Sequence, residues 1–154
     1  MAKISGPLLD RIDLHIEVPA VKYKDLSSKG DGESSQRIRE RVVAAREIQM
    51  KRFGERKGMY CNADMQSKDI QSFCKLDTAG EELLKMAITK LGLTARAYDR
   101  ILKVARTIAD LASGEAIRPE HVSEAIQYEV WIGICGTVGD HPACLNRDLS
   151  DSHE

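Results

Sequence analysis

Two arginines stand where a guanidinium can act outside its own structural element. Arg11 follows Leu8-Leu9-Asp10 and leads into a stretch of alternating apolar and polar residues, and Arg96 falls in the first turn after Thr94. A planar guanidinium in such a place suits the charge that develops on a transferring phosphoryl group. At Arg96 the unpaired N–H groups and the dipole of a helix N-terminus add to the attraction for an anion. Salt bridging is the competing reading: Arg11 with Asp10 or Asp13, Arg96 with Asp99, and Arg100 with Glu82 or Asp99.

Other chemistry is poorly supported. The sequence has no G-x-x-x-x-G-K-[ST] phosphate loop, no G-x-G-x-x-G, no H-E-x-x-H and no recognisable nucleophile setting, which argues against a self-contained enzyme. Cys61, Cys74, Cys135 and Cys144 are too scattered for a disulfide scaffold and read as reduced thiols. Cys135, His141 and Cys144 form a C-x5-H-x2-C pattern without the close cysteine pair and fourth ligand of a zinc site, so no metal site is expected. His15 and His121 read as surface or hydrogen-bonded histidines, and Met50, Met59, Met65 and Met86 as packing or loop residues.

The elements that must position the two arginines are mostly helical. In 154 residues, 42% are hydrophobic and only 5% aromatic, a balance that favours packed amphipathic helices over a sandwich or barrel. Ile12 to Val18 alternates with period two and stops at Pro19, which predicts a strand with one buried face and no partner strand of similar quality elsewhere. Residues 22–35, rich in Lys, Asp, Ser and Gly, read as a loop. Ser34 or Ser35 then caps a long helix that carries Ile38, Val42, Ala45, Gln49 and Phe53 at three- and four-residue steps as far as Gly54.

That helix is basic. From Ser34 to Lys57 eight Arg and Lys residues face three Glu, a net charge of +5 in a chain whose total is −1. Arg37, Arg41, Arg46 and Arg52 are therefore candidate contacts to DNA or to a neighbouring subunit, against the simpler reading of a solvated face.

Four more helices are predicted: Ser67 to Lys75; one capped by Asp77 and closed by Gly92; one capped by Thr94 and closed at Ser113-Gly114; and one opening at Pro119. After Glu129, the run Val130-Trp131-Ile132-Gly133-Ile134-Cys135-Gly136 mixes strand-like residues with Gly, and residues 129–154 are assigned no definite structure. No stretch is apolar enough to span a bilayer, and the amino terminus lacks the centre of a signal peptide, so a cytoplasmic protein without membrane contact is expected.

Ser5-Gly6-Pro7-Leu8-Leu9-Asp10-Arg11-Ile12-Asp13-Leu14-His15, then Gly32-Glu33-Ser34-Ser35, and above all Leu93-Thr94-Ala95-Arg96-Ala97-Tyr98-Asp99-Arg100-Ile101-Leu102-Lys103-Val104-Ala105-Arg106 resemble the magnesium-chelatase-like AAA+ ATPases, particularly their ComM-type competence branch. Glu124-Ala125-Ile126-Gln127-Tyr128 completes the match; Glu129 departs from it, since the family pattern continues with an arginine.

The resemblance implies a mainly α fold: a helical AAA+ lid, preceded by a long helix and by one strand orphaned from a parallel α/β ATPase sheet. Residues 1–21 would end the AAA+ core, 22–57 form a linker and the basic helical insertion, 58–128 the lid, and 129–154 a tail. It further implies that Arg11 is an arginine finger acting in trans and Arg96 the sensor-2 residue, with ATP and Mg2+ as cofactors of the intact protein. A homo-oligomeric ring, a hexamer, would couple hydrolysis to DNA remodelling or translocation. The part seen here would be inactive alone and bind neither cofactor tightly. Two alternatives remain: the ATPase subunit of a magnesium chelatase, and a non-enzymatic helical adaptor that binds DNA or protein.

Overall fold

In the computed structural model the backbone is described for residues 11–14, 16, 32–54 and 56–136, with side chains as far as Glu129. Five helices account for most of it: α1 (Ser35–Phe53), α2 (Ser67–Phe73), α3 (Thr78–Leu91), α4 (Ala95–Leu111) and α5 (Pro119–Gly136), with a single 3-10 turn at Asn62–Asp64 between α1 and α2.

Local chemistry explains where they begin and end. Ser34 Oγ accepts the Arg37 N–H at 3.4 Å, Asp77 Oδ1 accepts that of Gly80 at 2.7 Å, and Thr94 Oγ1 accepts that of Ala97 at 3.2 Å. Each satisfies one of the N–H groups that a helix start leaves without a partner. α5 opens on Pro119, and the His121 Nδ1 accepts the Arg118 N–H at 3.1 Å, the backward half of a capping box. Gly92 ends α3 in the left-handed conformation at φ 62°. At the end of α4 the left-handed residue is Ser113 (φ 56°), one position before the expected glycine, while the Gly114 N–H reaches back to the Ala109 carbonyl at 2.8 Å.

α4 is the hub, packing against α5, α1, α2 and the 3-10 turn, while α3 packs on α5. Ala105 and Ala109 on α4 are fully buried, and side chains this small let the neighbouring helices approach closely. Leu84, Ile101 and Val122 fill the centre, joined by Phe53, Met65, Ile70 and Ile117. Phe53 and Phe73 meet edge to face with ring centroids 5.7 Å apart, which pins the end of α1 to α2.

Three expectations change. The alternating segment forms no strand at residues 11–14 and 16, and Ile12, Leu14 and Ile16 are exposed. A strand needs a neighbour to take its N–H and C=O groups, and no other strand lies among the described residues. The apolar stripe of α1 is buried only in its second half, at Ala45, Gln49 and Phe53; Ile38 and Val42 are exposed, because α1 extends beyond the helices that cover its end. The last helix does not stop near Tyr128 but runs through the Gly-containing stretch to Gly136, so its backbone hydrogen bonds outweigh the poor helix preference of two glycines. Residues 137–154, with His141 and Cys144, lie outside the described residues, as do His15 and most of 1–31.

Candidate functional site

A cleft of about 920 Å³ opens along α4. Its walls come from Arg11, Asp13, Leu14 and Ile16, one side of α4, Ala63 of the 3-10 turn, and Glu124 and Tyr128 of α5. Arg11 and Arg96, far apart in sequence, line this one cleft, and Lys103 lies on its α4 wall. Arg96 stands in the first turn of α4, beside the N-terminus that Thr94 caps. Cationic side chains and a helix N-terminus thus face one cavity, an arrangement suited to a phosphate-bearing group. Asp13, Asp99 and Glu124 line it too, so its charges are of mixed sign, set among the apolar side chains of Leu14, Ile16, Val104, Ile108 and Leu111. Partial burial, helped by the Glu124 carboxylate that accepts its O–H at 3.2 Å, raises the Tyr128 phenol above its ordinary pKa.

The salt bridges weighed from sequence are not those that form at Arg100. Its Nε donates to Glu129 Oε2 at 2.8 Å, its Nη2 donates to Glu129 Oε1, and its Nη1 donates to the Ile12 carbonyl at 3.3 Å. Glu82 and Asp99 were its expected partners. Glu129 lies 29 positions away, on α5, and only the packing of α4 on α5 brings the two together.

A second polar cluster ties α1 to α4. Asp110, fully buried, accepts from Arg52 through both oxygens, from Asn62 Nδ2 at 2.8 Å, from Arg106 Nε at 3.0 Å and from Gln49 Nε2 at 3.4 Å. Arg106 also donates to the carbonyls of Gly114 at 2.6 Å and Glu115 at 2.9 Å. Burial pushes the Asp110 carboxyl up, but the bonds from Arg52 and Asn62 and the nearby guanidinium charges outweigh it and hold the group below the usual carboxylate range.

The cluster corrects the list of candidate DNA contacts. Arg52 is 13% exposed and committed to Asp110 and Asn62 as a structural ion pair, which sets it apart from the exposed arginines of α1. Arg37, Arg41 and Arg46 remain on the exposed side of α1. Arg41 forms a forked pair with Glu33 at 2.8 and 3.1 Å, which holds its already high pKa higher still. The pair is half exposed, a setting in which ion pairs contribute little and exchange partners readily. Arg46 donates to Gln49 at 3.3 Å.

Among the described residues no group of three or more His, Cys, Asp or Glu side chains could hold a metal ion, and no helix is long and apolar enough to cross a membrane.

A capped helical bundle around a central helix, with Arg96 in that helix's first turn and a cleft along its length, defines a lid-type helical domain. Residues 32–129 match the family described as magnesium chelatase, subunit ChlI C-terminal, and residues 1–26 match magnesium chelatase, subunit ChlI. The chain belongs to this magnesium-chelatase-like, AAA+-like family, in its ComM-type form. It is 47% identical over 131 residues to the competence protein ComM of Haemophilus influenzae, a match covering 84% of this chain and 25% of that protein. It is 42% identical over 127 residues to the uncharacterized protein YifB of Escherichia coli, covering 82% of this chain and 24% of YifB. An uncharacterized protein of Mycobacterium tuberculosis, Rv2897c, is 32% identical over 128 residues, 83% of this chain and 25% of its own length. The chain therefore spans about a quarter of the length of the curated relatives it matches.

Proposed function

We propose that this chain is the lid region of a cytoplasmic AAA+ ATPase whose subunits form a ring, a hexamer, and couple ATP hydrolysis to remodelling or translocation of DNA. The observation that carries the reading is that Arg11 and Arg96, the latter in the first turn of α4, line a single cleft. Sharing it lets one phosphate-bearing ligand meet both. With Arg11 acting across a subunit boundary, Arg96 acts on that same nucleotide. Arg96 would bind and orient the phosphates together with the helix N-terminus, and Arg11 would neutralise charge as the phosphoryl group transfers. ATP and Mg2+ would be held largely by parts of the intact protein outside this chain, the magnesium supplying charge neutralisation of the phosphates.

The test uses the intact protein. Arg11→Ala should lower kcat on the order of 10³-fold with little change in ATP affinity, whereas Arg96→Ala should weaken both. An Arg11→Ala protein with full turnover sinks the finger assignment.

Exposed Arg37, Arg41 and Arg46 favour DNA as the partner of α1, which the adaptor reading shares without nucleotide chemistry; unchanged DNA affinity with and without ATP would favour the adaptor. The ATPase subunit of a magnesium chelatase, with Mg2+ as cargo for a porphyrin, is the other branch of the family, and the 47% identity to a competence protein supports the first.

A further inference from the structure

We infer that Arg100, oriented by Glu129, is a positioning residue that holds the segment carrying Arg11 against the wall of the cleft. The inference deepens the reading of Arg11 given above and rests on it for its catalytic consequence; the placement itself does not depend on nucleotide.

Arg100 and Glu129 are 6% and 4% exposed at their side chains, on two helices of the bundle's most extensive packing pair. A guanidinium is rigid and planar, so engaging Nε and Nη2 with the two oxygens of one carboxylate fixes the direction of Nη1. That nitrogen faces the Ile12 carbonyl, one residue from Arg11. Little else in this segment is buried: Ile12, Leu14 and Ile16 are 40%, 49% and 71% exposed. A hydrogen bond from a buried, charged donor to a main-chain carbonyl is therefore a restraint on where residues 11–14 lie, since such bonds are stronger than neutral ones.

Arg100 also lines the cleft, so the group that fixes the segment is part of the wall that Arg11 faces. Glu129 acts through Arg100, and Arg100 acts on the backbone. Lysine could still pair with Glu129 but could not hold a forked pair and the Ile12 carbonyl at once.

The experiment measures the distance between nitroxide labels at Ile16→Cys and Thr89→Cys in the chain with its four native cysteines replaced by alanine. A narrow single distribution is expected. Arg100→Lys should broaden it at least twofold while the thermal midpoint stays close to that of the parent, a combination that a purely structural role would not produce. An unchanged distribution in a folded Arg100→Lys chain overturns the inference. If that variant fails to fold, an ester in place of the amide between Ile12 and Asp13 weakens the carbonyl acceptor and leaves every other side chain intact. Broadening then supports the restraint, and an unchanged distribution overturns it. Turnover of the intact Arg11→Ala protein separates the two ideas: full activity there removes the finger and leaves the measured restraint standing, whereas an inactive variant with no broadening in the Arg100 series removes the restraint alone.

Discussion

Arg52 on α1 meets Asp110 on α4 across 58 positions of sequence, with Nη1 2.7 Å from Oδ2 and Nη2 against Oδ1, and Asp110 itself is sealed from solvent. The pair converts the basic end of α1 from a charged surface into the joint between that helix and the bundle. Its surroundings satisfy both partners: Asn62 bridges Arg52, Asp110 and Thr107, and Arg106 approaches the carboxylate from one turn away.

Removing one member leaves the others buried and uncompensated. Asp110→Ala should cost about 3–5 kcal/mol of folding stability, because two guanidinium groups lose their shared acceptor. Urea unfolding followed by circular dichroism measures it, and a loss below about 1 kcal/mol would mean that solvent reaches the cluster.

The same carboxylate gives stability a pH dependence of known sign. Asp110 is held below its unfolded pKa, so the folded chain takes up this proton less readily than the unfolded one. Its contribution is complete above the unfolded value of about 3.9 and is lost as pH falls through the lower folded value. The wild-type chain should lose stability through that window, and Asp110→Asn should show a shallower slope there in acid titrations of the unfolding free energy.

Burial raises the Cys74 thiol to about 11, with the nearby Arg106 and Arg52 charges opposing the shift. Thiolates, not thiols, react with alkylating reagents, so at neutral pH its reaction should be on the order of 10²-fold slower than that of an ordinary cysteine. Pulsed iodoacetamide labelling with site-resolved mass spectrometry should find Cys74 unmodified until the chain is unfolded in urea. Rapid labelling under native conditions would contradict the burial of α2 against α4.

Ser113 adopts φ 56°, a left-handed conformation that burdens any residue with a Cβ. Ser113→Gly should stabilise the chain by roughly 0.5–1 kcal/mol, the relief of strain exceeding the extra chain entropy of glycine. The readout is an upward shift of the thermal midpoint by a few degrees, and a downward shift would show that the seryl side chain contributes contacts at this turn.

The exposed arginines of α1 and the buried one should separate in a binding experiment. Arg37→Ala with Arg46→Ala should lower the affinity for duplex DNA and reduce the salt slope by about one per lost phosphate contact, at an unchanged thermal midpoint. Arg52→Ala should instead destabilise the chain. Fluorescence anisotropy between 50 and 200 mM salt distinguishes them, and a fully stable Arg52→Ala chain that selectively loses DNA would return Arg52 to the binding face.

Sequence alone determined the features governed by neighbours within a turn or two. The caps at Ser34, Asp77 and Thr94, the left-handed Gly92 and the proline opening of α5 were all legible, because a side chain that satisfies a helix end sits three positions away. The periodicity of α3 and α4 was legible for the same reason, and the wording around Arg96 carried the family. Only tertiary structure decided which charges meet. Arg106 and Asp110 stand four residues apart, a spacing visible in sequence, but nothing local signals that Arg52, Asn62 and Gln49 converge on the same carboxylate. Glu129, the residue that breaks the family pattern, showed no local sign that it is the partner of Arg100. Packing likewise exposed Ile38 and Val42 while burying Phe53 of the same stripe, left residues 11–14 without a strand partner, and placed Arg11 and Arg96 in one cleft. A period reports which face of a helix is apolar; whether another element covers that face, and which charges become buried with it, depends on helices that meet only when the whole chain folds.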